Sequence, residues 1–147
     1  MPAKSQNPLQ MNNDNRAVVM KFYNTVVNKG DTSALPEIMS GRFVDHFAAP
    51  GSPQGIEGFK KFLGMVSTAF PDLQVSVDDL IEEGDKVVVR LTANGTHNGV
   101  LMGNIPPTGK HAVWMGIDIL KIEQGKITER WSLRDLFSMM RQVGVVK

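Results

Sequence analysis

Residues Gly125–Gly144 read GKITERWSLRDLFSMMRQVG. Ile127, Trp131 and Leu133 alternate with Thr128, Arg130 and Ser132, the period-2 pattern of a half-buried strand. Glu129 and Asp135 share the parity of the apolar set. Leu136, Met139, Met140 and Val143 then fall at helical spacing and stop at Gly144. The pattern predicts an acid, Asp135, where a buried strand gives way to a helix, on the core side. Asp is also a favoured N-cap, and a cap role alone would account for it; the two roles are compatible.

Working outward, the preceding run pairs with this strand. A three-residue loop at Glu123-Gln124-Gly125 sets Ile117 opposite Trp131, Met115 opposite Leu133 and Val113 opposite Asp135. A two-residue loop sets Trp114 opposite Asp135 and mixes the faces, so the first register is expected. A second hairpin is expected at Glu82-Glu83-Gly84, with Val77 opposite Val89 and Val75 opposite Leu91, so that both apolar faces coincide. Gly95–Lys110, rich in Gly and Pro, is a long crossing between the hairpins.

The N-terminal half reads as helix. Val18, Val19, Phe22, Tyr23, Val26 and Val27 form one apolar stripe, opened by Asn13 or Asp14 and closed near Gly30. A short helix follows Ser33 with Pro36 in its first turn. Arg42–Phe47 is a brief apolar-leaning segment, and Ala48–Gly55 is irregular. A third helix spans about Gly55 to Phe70, with Ile56, Phe59, Phe62, Leu63 and Val66 as its stripe. Helices followed by a run of strands read as α+β: a curved, antiparallel or mixed sheet wrapped around helices, with a cone-shaped apolar cavity.

The chain has 147 residues, which fits one domain, expected over residues 14–147, with 41% apolar residues to build its core. A formal net charge of +1 implies no strong pull on nucleic acid. There is no Cys, so no disulfide framework and no thiolate nucleophile. No apolar run approaches the ~20 residues of a membrane span. Met1–Asn13 is polar, carries Pro2 and Pro8, and is expected to be a disordered tail; a cytoplasmic protein is expected. The three histidines lack the close spacings of common zinc sites, and no metal is expected. Gly103–Lys110 has five residues between its glycines where a phosphate loop needs four.

Asp135 is the first catalytic candidate. A carboxyl group among apolar side chains loses hydration of its charged form, so its pKa should rise, which suits general acid/base work. His97 keeps the parity of Val89, Leu91 and Ala93 and is the second candidate; a hydrogen bond within the Gly95–Gly99 turn is the plainer alternative. Tyr23, His46, Phe62, Met115 and Trp131 are expected to line a substrate pocket, with packing roles as the alternative for Tyr23, His46 and Trp131; a buried Tyr23 hydroxyl needs a polar partner. Trp114 is expected on the other face of the sheet, where an exposed Trp marks a subunit contact.

Several short pieces carry a family likeness. They are Gly84-Asp85-Lys86-Val87, Gly95-Thr96-His97-x-Gly99, Pro107-Thr108-Gly109-Lys110, Gly125-Lys126-Ile127-x-Glu129-x-Trp131 with Asp135, and Arg141-Gln142-x-Gly144. With His46 and Phe70-Pro71-Asp72-Leu73, these resemble the SnoaL-like polyketide cyclases over roughly Asn15 to Val145. The resemblance implies the cone-shaped fold of nuclear transport factor and ketosteroid isomerase, usually as a homodimer. It also implies ring closure of a polyketide by intramolecular aldol condensation, with no metal or organic cofactor. An acid/base Asp near the end of the last long strand matches Asp135. Many relatives carry an acid where this chain has Ser132 and a His where it has Arg130. A related double-bond isomerisation and a non-catalytic binder of a hydrophobic small molecule are the alternatives.

Overall fold

The structure, a computed structural model, describes residues 13–147. The tail expected over Met1–Asn13 therefore lies outside the described residues, apart from Asn13. That residue opens helix α1 (Asn13–Lys21), which continues as a π-helical segment, Phe22–Asn28. The wider turn lets the adjacent Phe22 and Tyr23 both face the core, with ring centroids 4.9 Å apart and planes at 82°. A 3-10 turn (Thr32–Ala34) follows, with Asp31 as its cap. It leads into α2 (Leu35–Ile38), where Pro36 is tolerated because the first turn needs no amide donor. Strand β1 (Met39–Asp45) and helix α3 (Gly55–Ala69) come next. Strands β2 (Gln74–Glu83), β3 (Lys86–Thr96), β4 (His111–Glu123) and β5 (Lys126–Arg134) precede the last helix, α4 (Leu136–Gln142).

The strands form one five-stranded curved sheet in the order β1-β5-β4-β3-β2. β1 runs parallel to β5 and every other pair is antiparallel, so the sheet is mixed and the class is α+β. Val87, Val89, Leu91 and Ala93 from β3, with Ala112, Trp114, Leu120 and Ile122 from β4, are buried on the concave face. Val19, Phe22, Tyr23, Val26, Phe59 and Phe70 meet them from the helical side. Each large side chain buried there contributes about 2 kcal/mol of apolar transfer. Among the described residues no helix is long and apolar enough to cross a membrane.

Both hairpins differ from the expected registers. Each has a two-residue loop rather than three, and each is followed by a bulge. In the first, Glu83 pairs with Lys86, and Gly84 takes φ +61° at the first loop position, where glycine is favoured. An irregularity between Val77 and Asp79 then sets Val77 opposite Leu91 and Val75 opposite Ala93. The apolar faces still coincide. In the second, Glu123 pairs with Lys126, and Gln124 and Gly125 both have positive φ.

The shift after Ile122↔Ile127 inserts Thr128 as an extra residue, so that Lys121 faces Glu129 and Ile119 faces Trp131. The bulge reverses the parity of everything after it. Arg130, not Trp131, points into the concave face. β4 is apolar on both faces, so its sequence does not choose between them. Trp114 correspondingly faces inward, 5.0 Å from the Phe70 ring, and not the outer face as expected. The outer face carries Val113, Met115 and Ile117, each about half exposed (49%, 52% and 49%), and Leu133 at 75%.

Candidate active site

A cavity of about 720 Å3 lies between the concave sheet face, the Phe22–Asn28 segment, α3 and the Ala48–Gln54 loop. Its lining is mostly apolar: Phe47, Phe62, Leu63, Val66, Leu101 and Trp114 are typical. Lys61, Met65 and Met102 lie at exposed positions of the lining. The polar part is small: Tyr23, Asp45, Asp118, Arg130 and Arg134 are buried or half-buried, and Ser52, Gln54 and Lys61 are exposed.

Asp118 is fully buried on β4 at the inward parity of Trp114 and Leu120. Arg134, on the neighbouring strand, grips it with both ends of its fork: Nη1 donates to Oδ1 at 2.7 Å and Nη2 to Oδ2 at 3.1 Å. The Tyr23 hydroxyl donates to Oδ2 at 2.5 Å. Gly116 makes the fork possible. It sits opposite Arg134 in the ladder, and a Cβ there would stand 2.6 Å from Arg134 Cδ and 2.9 Å from the Leu133 carbonyl oxygen. The bare backbone leaves a path for the arginine to lie across β4.

Burial pushes the Asp118 carboxyl up. The hydrogen bond from Arg134, the charges of Arg130 and Arg134, and a hydrogen bond from Ser132 outweigh it and hold the group below the usual carboxylate range. Tyr23 moves the other way. Burial first, then the Asp118 charge and its hydrogen bond, hold the phenol neutral well above its ordinary value.

A second ion pair lies alongside. Arg130 Nη1 donates to Asp45 Oδ1 and Oδ2 at 3.2 and 3.0 Å. Its Nη2 donates to Ser132 Oγ at 3.3 Å, and that oxygen also accepts from Arg134 Nη1 at 2.8 Å. One serine hydroxyl thus links the two arginines. The rings of Phe47, Phe59 and Phe62 stand 5.4, 5.4 and 5.6 Å from the Arg130 guanidinium carbon, favourable cation–π distances that help hold a charge in an apolar wall. Asp45 is fixed in turn: Oδ1 accepts from the Phe47 amide at 3.0 Å, and the Gln54 side chain bonds its backbone on both sides.

Of the residues expected from sequence, Tyr23 and Phe62 line this cavity, and five others do not. Asp135 is exposed and outside the lining. It caps α4, accepting from the Ser138 amide at 3.0 Å, while its own amide bonds the Met115 carbonyl. The bulge at Thr128 put it on the outer parity, so Val113, Met115 and Leu133 share its face but leave it exposed rather than enclosed. Trp131 shares that outer parity for the same reason, and Met115 lies on the outer face of β4.

His46 stacks on Trp131 with centroids 4.7 Å apart and planes at 6°, and its Nε2 lies 2.9 Å from Glu129 Oε1. It packs outside the sheet. His97 is fully buried and is not part of the cavity lining; its ring stands 5.7 Å from that of Phe70, which is. Its Nδ1 meets Thr108 Oγ1 at 3.1 Å, its amide donates to the Lys110 carbonyl, and its carbonyl accepts from Gly109. It ties down the Gly95–Lys110 crossing rather than a turn within Gly95–Gly99.

Asp118, Arg130, Arg134 and Asp45 were not candidates on sequence. Asp118 did carry a signal, since it is the one acid between His111 and Leu120 in an otherwise largely apolar strand.

The profile of SnoaL-like polyketide cyclases covers residues 17–143. The chain belongs to that family. Among solved structures it is similar to TsrD from Streptomyces laurentii, with 29% identity and a TM-score of 0.84 over 93% of this chain and 99% of that one. A Bacillus cereus protein provisionally assigned as a polyketide cyclase shares 28% identity over 100% and 99% of the two chains, with a TM-score of 0.79. IdmH from Streptomyces antibioticus, also provisionally assigned as a polyketide cyclase, shares 30% identity over 88% and 98%, with a TM-score of 0.77. No curated protein matches the sequence.

The Asp118 network has a titration consequence. Its folded pKa is depressed, so its contribution to stability is present above the unfolded value of about 3.9 and lost as pH falls through the lower folded value. NMR titration of the Asp118 carboxyl carbon is expected to show an inflection below the ordinary carboxylate range. In Gly116→Val, where the new side chain displaces Arg134, the inflection is expected to move up. An ordinary value in the wild-type protein would contradict the arrangement.

Proposed function

We propose that the protein is a cofactor-independent cyclase that closes a ring in a bulky, mostly apolar polycarbonyl compound by intramolecular aldol addition. The observation that carries this reading is a fully buried carboxylate, Asp118, in the small polar part of a mostly apolar cavity. The base role expected of Asp135 passes to Asp118. The family and its provisionally assigned cyclases support the reaction class.

Asp118 removes a proton from a carbon next to a carbonyl. The resulting enolate carbon attacks a second carbonyl carbon of the same molecule, forming the C–C bond. The second carbonyl oxygen becomes an alkoxide and takes the proton back from Asp118. Atoms balance, and the product is an isomer of the substrate. Because Asp118 is held below the usual carboxylate range, it is a weak base. Its substrate carbon must therefore be acidified, as a carbon between two carbonyls is.

Tyr23 occupies the Oδ2 oxygen in the free protein, and its hydroxyl turns to a substrate oxygen as the proton moves to Asp118. Holding the chain folded with the two carbons about 3–3.5 Å apart supplies much of the acceleration. His97, outside the cavity, has no part in the proton transfer.

One observation favours a binder instead: both Asp118 oxygens are already engaged, by Arg134 and by Tyr23. Turnover separates the two. An aryl β-keto ester bearing a second ketone at six-membered-ring distance should be converted without change of mass, as followed by liquid chromatography and mass spectrometry. Asp118→Asn should lower kcat by about 100-fold or more. Unaltered turnover in Asp118→Asn would refute the mechanism, and tight binding with no turnover in the wild type would establish the binder.

The outer sheet face is proposed to be covered by a second copy of the chain. Its support is the contiguous run of Val113, Met115, Ile117 and Leu133 across β4 and β5, with Phe137 62% exposed just beyond. Apolar patches of this kind on a monomer's surface mark interfaces. Analytical ultracentrifugation is expected to show a dimer for the wild type and a monomer for Leu133→Glu. A wild-type monomer at tens of micromolar would exclude the dimer.

A further inference from the structure

Two long apolar side chains stand in water at the rim of the cavity. Met65, on α3, is 57% exposed and Met102, in the Gly95–Lys110 crossing, is 50% exposed, and both belong to the lining. The other long side chains of the exposed lining, Gln54 and Lys61, are polar. Single exposed apolar side chains are common on protein surfaces and by themselves point to nothing. Met102 differs from them in its backbone.

Met102 has φ +52°, and Gly103 after it has φ +76°. With Asn104 they form a three-residue loop closed by Leu101 and Ile105, whose amides and carbonyls bond each other at 2.9 Å in both directions. A left-handed backbone crowds Cβ against the following carbonyl, so glycine or asparagine is favoured there and a methionine is held at a cost. The turn itself would be better served by glycine. The chain around the loop is fastened down. Leu101 is buried and lines the cavity, and the amides of Asn98 and Gly99 donate to the Ala69 carbonyl at the end of α3. At Gly99 the crossing passes so close to α3 that a Cβ would stand 1.8 Å from the Thr68 carbonyl oxygen. Met65 lies one helical turn before Ala69. The crossing thus presents Met102 from a fixed base, tied to the half of α3 that carries Met65.

We propose that Met102 is a specificity-determining residue of this cavity: with Met65 it forms an apolar lip that grips an aromatic part of the substrate reaching out through the mouth, remote from the reacting carbons. This rests on the bulky, apolar substrate of the cyclase reading and extends it to a long molecule with an aromatic end at the mouth. An unbranched thioether has three rotatable bonds with which to fold onto a ring, and its sulfur makes favourable contacts with aromatic groups. A ring held there takes its own surface and that of both methionines out of water. The strained backbone at Met102 is therefore offset only when the cavity is occupied, so stability and binding respond to its side chain with opposite sign.

The test uses two aryl 1,3-diketones as probes: dibenzoylmethane, which is short, and dimethylcurcumin, whose aryl groups stand further from the same dicarbonyl. Dissociation constants are measured by fluorescence titration on the full-length chain. The wild type is expected to bind the long probe about tenfold more tightly than the short one. Met102→Gly is expected to lose about fivefold or more for the long probe and roughly twofold or less for the short one. Its Tm is expected to be unchanged or raised, since relief of the left-handed backbone offsets the added freedom of the unfolded chain. Met102→Gln keeps the backbone and the length but not the apolar end, and is expected to weaken the long probe by about threefold or more.

An unchanged affinity for the long probe in either variant, or an equal loss for both probes, overturns the proposal. A lowered Tm in Met102→Gly does the same, because it would make Met102 a structural residue of the turn. So does a wild type that shows no preference for the long probe. Asp118→Asn separates this from the cyclase reading. It is expected to keep the preference for the long probe while losing turnover, so failure of the lip and failure of the base are read on different variants.

Discussion

The site depends on one constraint: a charge buried in hydrocarbon must carry its counter-charge with it. Asp118 sits fully buried at the inward face of β4, and it is tolerated there because Arg134 reaches it with both arms of its fork. Removing one partner of such a pair costs about 3–5 kcal/mol, whereas replacing both with apolar groups is often neutral. Stability alone therefore gives little reason to keep the pair. The surrounding structure is arranged to accommodate it: Gly116 clears the path of Arg134, Ser132 bridges to Arg130, and Asp45 neutralises Arg130. Two carboxylates, two guanidiniums and a phenol are thereby held in a wall that could have been all hydrocarbon.

That arrangement sets the kind of chemistry available. A lone carboxyl in an apolar hollow would be a strong base held near neutrality. A carboxyl flanked by two guanidiniums stays ionised and is a weak base. The burden moves to the substrate, which must bring an acidified carbon, and to the cavity, which must stabilise the anion that forms. The mostly apolar lining suits a bulky substrate, and the small polar part leaves few places for its oxygens.

Much of this architecture was legible in the sequence. The amphipathic stripe of α1, the extent of α3 and the pairing of apolar faces in β2 and β3 follow from period and turn chemistry, and the short family pieces pointed to the right fold. The site was not legible, because two local events reversed it. A two-residue turn with Gln124 and Gly125 at positive φ replaced the expected three-residue loop, and Thr128 bulged out immediately afterwards. Neither has a strong sequence mark. Since strand side chains alternate, one extra residue exchanged the faces of β5, bringing Arg130 and Arg134 inward and carrying Asp135 and Trp131 outward. β4 could not correct the error, because Val113, Met115 and Ile117 on one face are as apolar as Ala112, Trp114 and Leu120 on the other. That double apolarity was itself informative: an outer sheet face so rich in hydrocarbon has its own surface to cover.

The most direct measurement is a crystal structure of the protein with an aryl 1,3-diketone bound. The acidic carbon of the ligand is expected within about 3.5 Å of an Asp118 carboxylate oxygen, with Tyr23 displaced from Oδ2. A ligand seated in the cavity with Asp118 still closed off by Arg134 and Tyr23, or bound beside Asp135 on the outer face, would contradict the assignment of Asp118 as the base.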